Sequence, residues 1–419
     1  MKTYQSLYRK MVKACVKGKM DEEFSNLEKL SAYDAHHLDC LLNPHKIPPV
    51  FALSKCPCDG EQKKECQKAC DFDALSHDQN GNIVISGENC IGCGACIDHC
   101  IKDNLTDRKD LWPLFEHLNK GGAPVYAMIA PAFTSQFSTD ITAGQLRNAF
   151  KKIGFTGMIE VALFADILTL KESLEFDRHI FTDEDFLLTS CCCPIWIAMI
   201  RKIYHQMVPH IPPSVSPMVA CGRAIKALYP QAVTVFIGPC IAKKAEAREK
   251  DIEDAVDFVL TFQEVQGIFE AAGVKPEELG EDMRDHSSKA GRIYARTGGV
   301  SEAVQLCVKR LRPERSIQVR ARQADGVAAC KALLKEITEL SHDANFLEGM
   351  GCKGGCVGGP KVILSREEGA EHVNFYGKEA AYETPADNPF VLEMLNRLGF
   401  HTIDSLLEKE QIFTRRFDT

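Results

Sequence analysis

The stretch "TSCCCPIW" (residues 189–196) places Cys191, Cys192 and Cys193 side by side in front of Pro194. Neighbouring side chains on an extended backbone point to opposite sides, so one metal site cannot draw equally on all three thiols. The "FLLTS" that leads into them reads as a strand, and two further cysteine groups follow apolar runs in the same manner. "VTVFIGP" leads into Cys240, and "NFLEGMG" leads into Cys352 and Cys356. In open α/β sheets ligands bind beyond the carboxyl ends of strands, so the three segments are expected to converge on one site. Glycines crowd the same places, in "RTGGV" (296–300), in "GCKGGCVGGP" (351–360) and at Gly238. Their missing side chains allow the backbone to approach a bulky inorganic ligand.

Outward from these segments, apolar runs at 124–130, 157–163, 233–237 and 316–320 alternate with helical patterns at 143–153, 163–177 and 262–272. That alternation implies an α/β fold, with parallel sheets covered by helices.

The 419-residue chain contains 19 cysteines. Disulfide stapling suits small secreted domains that lack a large core, and the short cysteine spacings here favour metal centres. Iron–sulfur centres in a reducing cytoplasm are the expectation. The net charge of −8 argues against a nucleic-acid partner. No apolar run approaches the roughly 20 residues that span a bilayer, and the first residues carry neither an apolar export core nor a twin arginine. Cys15, Cys40, Cys221, Cys307 and Cys330 each stand alone in an apolar pattern and read as small core hydrophobes.

Residues 1–50 read as a helical extension. Its opening, "MKTYQSLYRKMVKACVKGKM", holds six lysines and arginines and no acid, while Tyr4, Leu7, Met11 and Cys15 recur at helical spacing. The helix is expected to pack on a domain with a solvated basic face; alternatively, that face docks an acidic redox partner.

Residues 51–110 carry the densest cysteine pattern. "NCIGCGACIDHC" sets Cys90, Cys93, Cys96 and Cys100 at C-x2-C-x2-C-x3-C spacing. Three such thiolates wrap one 4Fe-4S cluster, and the fourth commonly serves a neighbouring one. An irregular copy precedes it, with Cys56, Cys58, Cys66 and Cys70, and its second half repeats the x3 spacing. This internal repeat implies pseudo-twofold packing. Cys56, Cys58, Cys66 and Cys100 are assigned to one cluster, and Cys70, Cys90, Cys93 and Cys96 to the other. The alternative is a degenerate copy without a cluster. "GNIVIS" (81–86) reads as a short strand, and "DRKDLWPLFEHLNKGG" (107–122) as a linking helix stopped by two glycines.

Together these features resemble the iron-only (FeFe) hydrogenases. Three motifs carry the resemblance: "TSCCCPIW", "PCIAKKAE" (239–246) and "EGMGCKGGCVGG" (348–359), supported by "APA" (130–132), "SP" (216–217) and "TGGVSEA" (297–303). The likeness covers roughly residues 50–400. It implies a catalytic H-domain over 120–419, built of two parallel-sheet α/β lobes around the active cluster and preceded by a ferredoxin-like α+β domain.

The resemblance implies an oxidoreductase that interconverts H2 with two protons and two electrons, exchanging electrons with ferredoxin through two 4Fe-4S clusters. Its cofactor would be the H-cluster, a 4Fe-4S cubane joined to a di-iron unit with CO, cyanide and a bridging amine dithiolate, delivered by maturation proteins. Cys193, Cys240, Cys352 and Cys356 would hold the cubane, with Cys356 bridging to the di-iron unit. Lys243 would donate to a cyanide, Met350 would pack on the di-iron unit, and Pro131, Ala132, Ser216 and Pro217 would line the pocket. Cys192 would relay protons, followed by Glu172 and Glu175, which stand three apart on a helix; as an alternative, the two acids sit on a solvated helix face. Cys191 inherits no role and reads as a packing residue.

Three departures mark this chain. Gly238 stands where the family usually has methionine, Pro212 lies near an expected relay serine, and "GGPK" (358–361) closes the third motif differently. The triple cysteine suggests a separate branch. Other readings are a non-catalytic iron–sulfur carrier of the same fold and a slow hydrogen-sensing hydrogenase.

Overall fold

The structure, a computed structural model, describes residues 3–28, 33–58, 65–189, 192–282, 284, 286–339, 343–409 and 411–417. Ser190 and Cys191 lie outside the described residues, and with them the packing role expected for Cys191.

Four strands of three residues organise the cysteine-rich part: β1 (Val50–Ala52), β2 (Leu75–His77), β3 (Ile83–Ile85) and β4 (Leu105–Asp107). β1 pairs antiparallel with β4, and β2 with β3. The sequence repeat is visible as an offset of thirty residues. Helical turns Glu65–Lys68 and Ala95–Asp98 precede Cys70 and Cys100, and β2 and β4 follow them. In each copy the residue three after the cysteine is left-handed, Asp73 at φ 49° and Asp103 at φ 50°. In each copy, too, an amide four residues on donates to the thiol, Ala74 to Cys70 (3.3 Å) and Asn104 to Cys100 (3.2 Å).

The larger part holds two parallel sheets. β5 (Val125–Ile129), β6 (Gly157–Glu160), β8 (Val233–Gly238) and β9 (Phe258–Thr261) form a four-stranded sheet in the order β6-β5-β8-β9. β7 (Leu187–Leu188), β10 (Ala321–Asp325) and β11 (Phe346–Met350) form a three-stranded sheet in the order β10-β11-β7. β8 and β11 are buried along their whole length, as parallel strands covered on both faces require. The helix Ala162–His179 joins the two lobes. Its Leu163, Phe164 and Ile167 pack in the core under the first sheet, while Phe176 packs with Leu187 and Phe346 of the second. Among the described residues, no helix is long and apolar enough to cross a membrane.

Two local expectations are corrected. The apolar run 316–320 is irregular, and the strand begins at Ala321 instead. The Arg320 amide donates to the Asn345 side chain at 2.7 Å, so the ladder with β11 opens only at Ala321 opposite Phe346. The segment 107–110 does not open a linking helix. Asp107 ends β4, the helix runs Leu111–Lys120, and all four charged residues Asp107, Arg108, Lys109 and Asp110 are buried.

The N-terminal helix Tyr4–Val16 buries Tyr4, Leu7, Met11 and Cys15, as its spacing implies. Cys15, Cys40, Cys221, Cys307 and Cys330 are all buried and free of disulfides.

Candidate functional site

Three strand ends deliver four thiols to one place. Cys193 follows β7 and opens the helix Pro194–Lys202, with Pro194 at its first turn, where a missing N–H is harmless. Cys240 follows β8 across Pro239, and Cys352 and Cys356 follow β11. The Gly351 amide donates to the Cys193 thiol at 3.2 Å, and the Ala242 and Lys243 amides donate to Cys240.

The thiols sense one another. Burial, and after it Cys193, pushes Cys240 up to about 11. Burial, followed by Cys240 and Cys193, pushes Cys356 up to about 12. Cys352 is raised well above the ordinary thiol range by burial and by Cys240, Cys193 and Cys356. Four part-buried thiols gathered in one place, with Cys240, Cys352 and Cys356 pushed up, are a poor arrangement without a cation, and a good one around iron, which stabilises thiolates. Among the described residues, no three His, Cys, Asp or Glu side chains close on a single ion position. Thiols that each take a different corner of a cubane need not do so. The donor set therefore fits an iron–sulfur cluster.

Loop geometry supports that fit. Gly354 and Gly355 are left-handed at φ +81° and +86°, and a Cβ on Gly355 would meet the Thr297 nitrogen at 2.7 Å. The Asp325 carboxylate accepts from the Thr297 hydroxyl and the Gly354 amide, both at 2.9 Å, fastening the loop between Cys352 and Cys356. The Glu348 carboxylate accepts from the Gly298 amide (2.7 Å), the Ser301 amide (2.8 Å) and the Ser301 hydroxyl (2.7 Å), which fixes β11 to the start of the helix Gly299–Leu311. Sequence reading named Glu348 only within its motif and missed Asp325; a short acid at a strand end before glycine was the available signal.

Lys243 is buried in the helix Ala242–Glu246 and pairs with Glu246 at 2.6 Å. Burial works against its charge, but Glu246, Cys240 and Cys192 outweigh this and raise its pKa. The ammonium therefore stands charged beside the thiols of Cys240 and Cys192. Met350 is fully buried at the end of β11. Pro131 and Ala132 lie in a helical turn directly after β5, and Ser216 caps the helix Pro217–Leu228.

Glu172 and Glu175 are buried within the helix Ala162–His179, not on a solvated face. Lys171 pairs with Glu175 (3.2 Å) and also donates to Ser214 Oγ (3.1 Å) and the Pro213 carbonyl (2.8 Å). The half-exposed His179 meets Glu175 at 3.2 Å and links this buried carboxylate to the surface. Beside the departure at Pro212, the Ser214 hydroxyl thus shares Lys171 with Glu175.

In the cysteine-rich part the thiols fall into two sets that cross the repeat. Cys70, Cys90, Cys93 and Cys96 line one cavity. Cys58 is raised by burial and by Cys56 and Cys100, and Cys66 by burial, Cys100 and Cys56. The first set reaches the strand-end site: Cys93 packs in one cluster with Cys193, Cys240 and Cys352, and adds to the upward shift of Cys352.

The model of the iron-only hydrogenase large subunit, C-terminal domain, matches residues 123–360. Iron hydrogenase 1 of Clostridium pasteurianum is 26% identical over 285 residues, covering 58% of this chain and 50% of that one. The NADP-reducing hydrogenase subunit HndD of Solidesulfovibrio fructosivorans is 24% identical over 323 residues, covering 64% and 55%. The chain thus spans about half the length of these two curated relatives. Among solved structures, a variant of the FeFe-hydrogenase from Chlamydomonas reinhardtii superposes with a TM-score of 0.58 at 20% identity, covering 70% of this chain and 94% of that one. This is a likeness of fold. The family-model match over more than half of the chain places it in the iron-only hydrogenase family.

Proposed function

We propose that the protein is an FeFe hydrogenase that reversibly interconverts H2 with two protons and two electrons. The observation that carries this reading is the convergence of Cys193, Cys240, Cys352 and Cys356 from three strand ends, with charged Lys243 beside them. When bound, the H-cluster supplies Lewis-acidic iron and a pendant amine base, the two functions that splitting H2 requires; the protein supplies position, electrostatics and exclusion of water.

Cys193, Cys240, Cys352 and Cys356 would hold the cubane, and Cys356 would also serve the di-iron unit. Lys243 orients a cyanide by a charge-assisted hydrogen bond, while Met350, Pro131, Ala132, Ser216 and Pro217 shape the pocket. Cys192 holds the proton nearest the site, and Glu172 and Glu175 carry it outward to His179. The sets Cys56/Cys58/Cys66/Cys100 and Cys70/Cys90/Cys93/Cys96 each hold a 4Fe-4S cluster in a ferredoxin-like module. They exchange single electrons with a ferredoxin or similar small carrier in the cytoplasm.

Infrared spectroscopy of the protein activated with the maturation proteins tests this reading. CO and cyanide bands are expected, and their absence removes the hydrogenase in favour of an iron–sulfur carrier. Cys192→Ala is expected to keep the bands and lose most turnover, whereas Cys193→Ala loses the bands as well. An active Cys192→Ala variant would overturn the proton role.

A further inference from the structure

Four consecutive charged residues, Asp107 to Asp110, are buried where the cysteine-rich part meets the sheets. Lys109 meets Asp107 (2.9 Å) and Glu264 (3.0 Å). Lys244, fully buried, meets the same two acids at 2.9 and 2.8 Å. Lys361 reaches Asp107 at 3.0 Å. Arg108 pairs with Asp110 at 2.9 Å and donates to the Lys244 carbonyl at 2.7 Å, and Arg248 approaches Asp110 at 3.6 Å. Five cations therefore face three carboxylates. The Tyr8 ring of the N-terminal helix covers Lys109, with Nζ 5.6 Å from its centroid.

Burying so many charges is a weak way to gain stability, because desolvation consumes much of the Coulombic attraction. The surplus of positive charge is a different matter, since a buried field is poorly screened.

The knot lies against one thiol set. Asp107 stands opposite Val50 in the β1–β4 pair, and the Val50 amide donates to the Cys90 thiol. Burial and Cys70 raise the Cys90 thiol, and the Arg108 guanidinium acts against them. Gly92 sits so close to the start of the Lys244 helix that a Cβ there would meet the Ile241 carbonyl at 3.1 Å and the Ala242 Cα at 3.2 Å.

We propose that this positively weighted knot raises the reduction potential of the iron–sulfur cluster at Cys70, Cys90, Cys93 and Cys96 above that of the cluster at Cys56, Cys58, Cys66 and Cys100. The proposal rests on the reading that both thiol sets hold clusters. Net local charge is one of the established determinants of cluster potential. One electron leaves the outer cluster as the inner one gains it, and an external carrier of ferredoxin type re-reduces the outer cluster. The electron then rests beside Cys352, next to the strand-end site.

The test is a redox titration followed by electron paramagnetic resonance, on the full chain carrying its iron–sulfur clusters but no di-iron unit. Lys361→Gln removes a partly exposed cation and is expected to lower the inner midpoint by about 59 mV, a tenfold shift for one electron. Asp110→Asn removes an acid and is expected to raise it by a similar amount, with the outer midpoint unmoved in both. A packing role alone would not reverse sign between the two variants. The proposal is overturned if the inner midpoint stays fixed in both, if both variants move it the same way, or if the outer cluster has the higher potential in the wild type. Wild-type protein that binds no iron overturns the cluster reading itself, a failure distinct from clusters that are present and do not shift.

Discussion

The cysteine-rich part and the two-sheet part both gather thiols, but by opposite means. In the former, four strands of three residues carry two thiol sets whose members come from neighbouring loops. In the latter, four thiols arrive from segments far apart in sequence, on sheets with a buried core of their own. Short strand pairs are marginal alone, so the first region depends on what its thiols hold. The second builds its thiol site at the ends of parallel strands, of which β8 and β11 are buried throughout.

Iron removal should separate the two most sharply. Chelation is expected to abolish amide protection across residues 65–107, since metal binding there is part of folding, while β5, β8 and β11 keep theirs. Hydrogen exchange reads this directly, and equal loss in both regions would break the comparison. A narrower test concerns the crossing of the two sets. Cys100→Ala should remove the cluster shared with Cys56, Cys58 and Cys66 and leave the other, and Cys70→Ala should do the reverse. Iron content with paramagnetic resonance reports each, and loss of the Cys90/Cys93/Cys96 signal in Cys100→Ala would refute the pairing. The smallest effect is expected in the scaffold. A Cβ at Gly349 would lie 2.0 Å from Cε3 of Trp196, a ring held by its bond to the Thr189 carbonyl. Gly349→Ala is expected to destabilise the two-sheet part by about 1–3 kcal/mol, seen as a lower Tm with unchanged cluster signals in the first region.

Sequence reading reached the fold class and the meeting of the three cysteine segments because each follows an apolar run at a strand end. It reached the repeat because Cys66 and Cys70 echo Cys96 and Cys100. It missed β10, whose "ARQAD" is half-exposed and polar; only its pairing with β11 makes it a strand. The buried charges of 107–110 were likewise illegible, since charged residues are almost never buried unless paired. Their partners Glu264 and Lys361 stand more than 150 residues away in the chain. Asp325 was missed for a similar reason: its bonds run to Thr297 and Gly354, and neither is near it in sequence.

The helix Ala242–Glu246 carries two adjacent lysines with different neighbours, Lys243 beside the thiols and Lys244 in the ionic knot. Successive residues on a helix stand about 100° apart, so the helix can serve both only in its present register. Inserting or deleting one residue between Cys240 and Glu246 would rotate each lysine out of its setting. Over evolutionary time, this stretch should accept substitutions before it accepts any change of length.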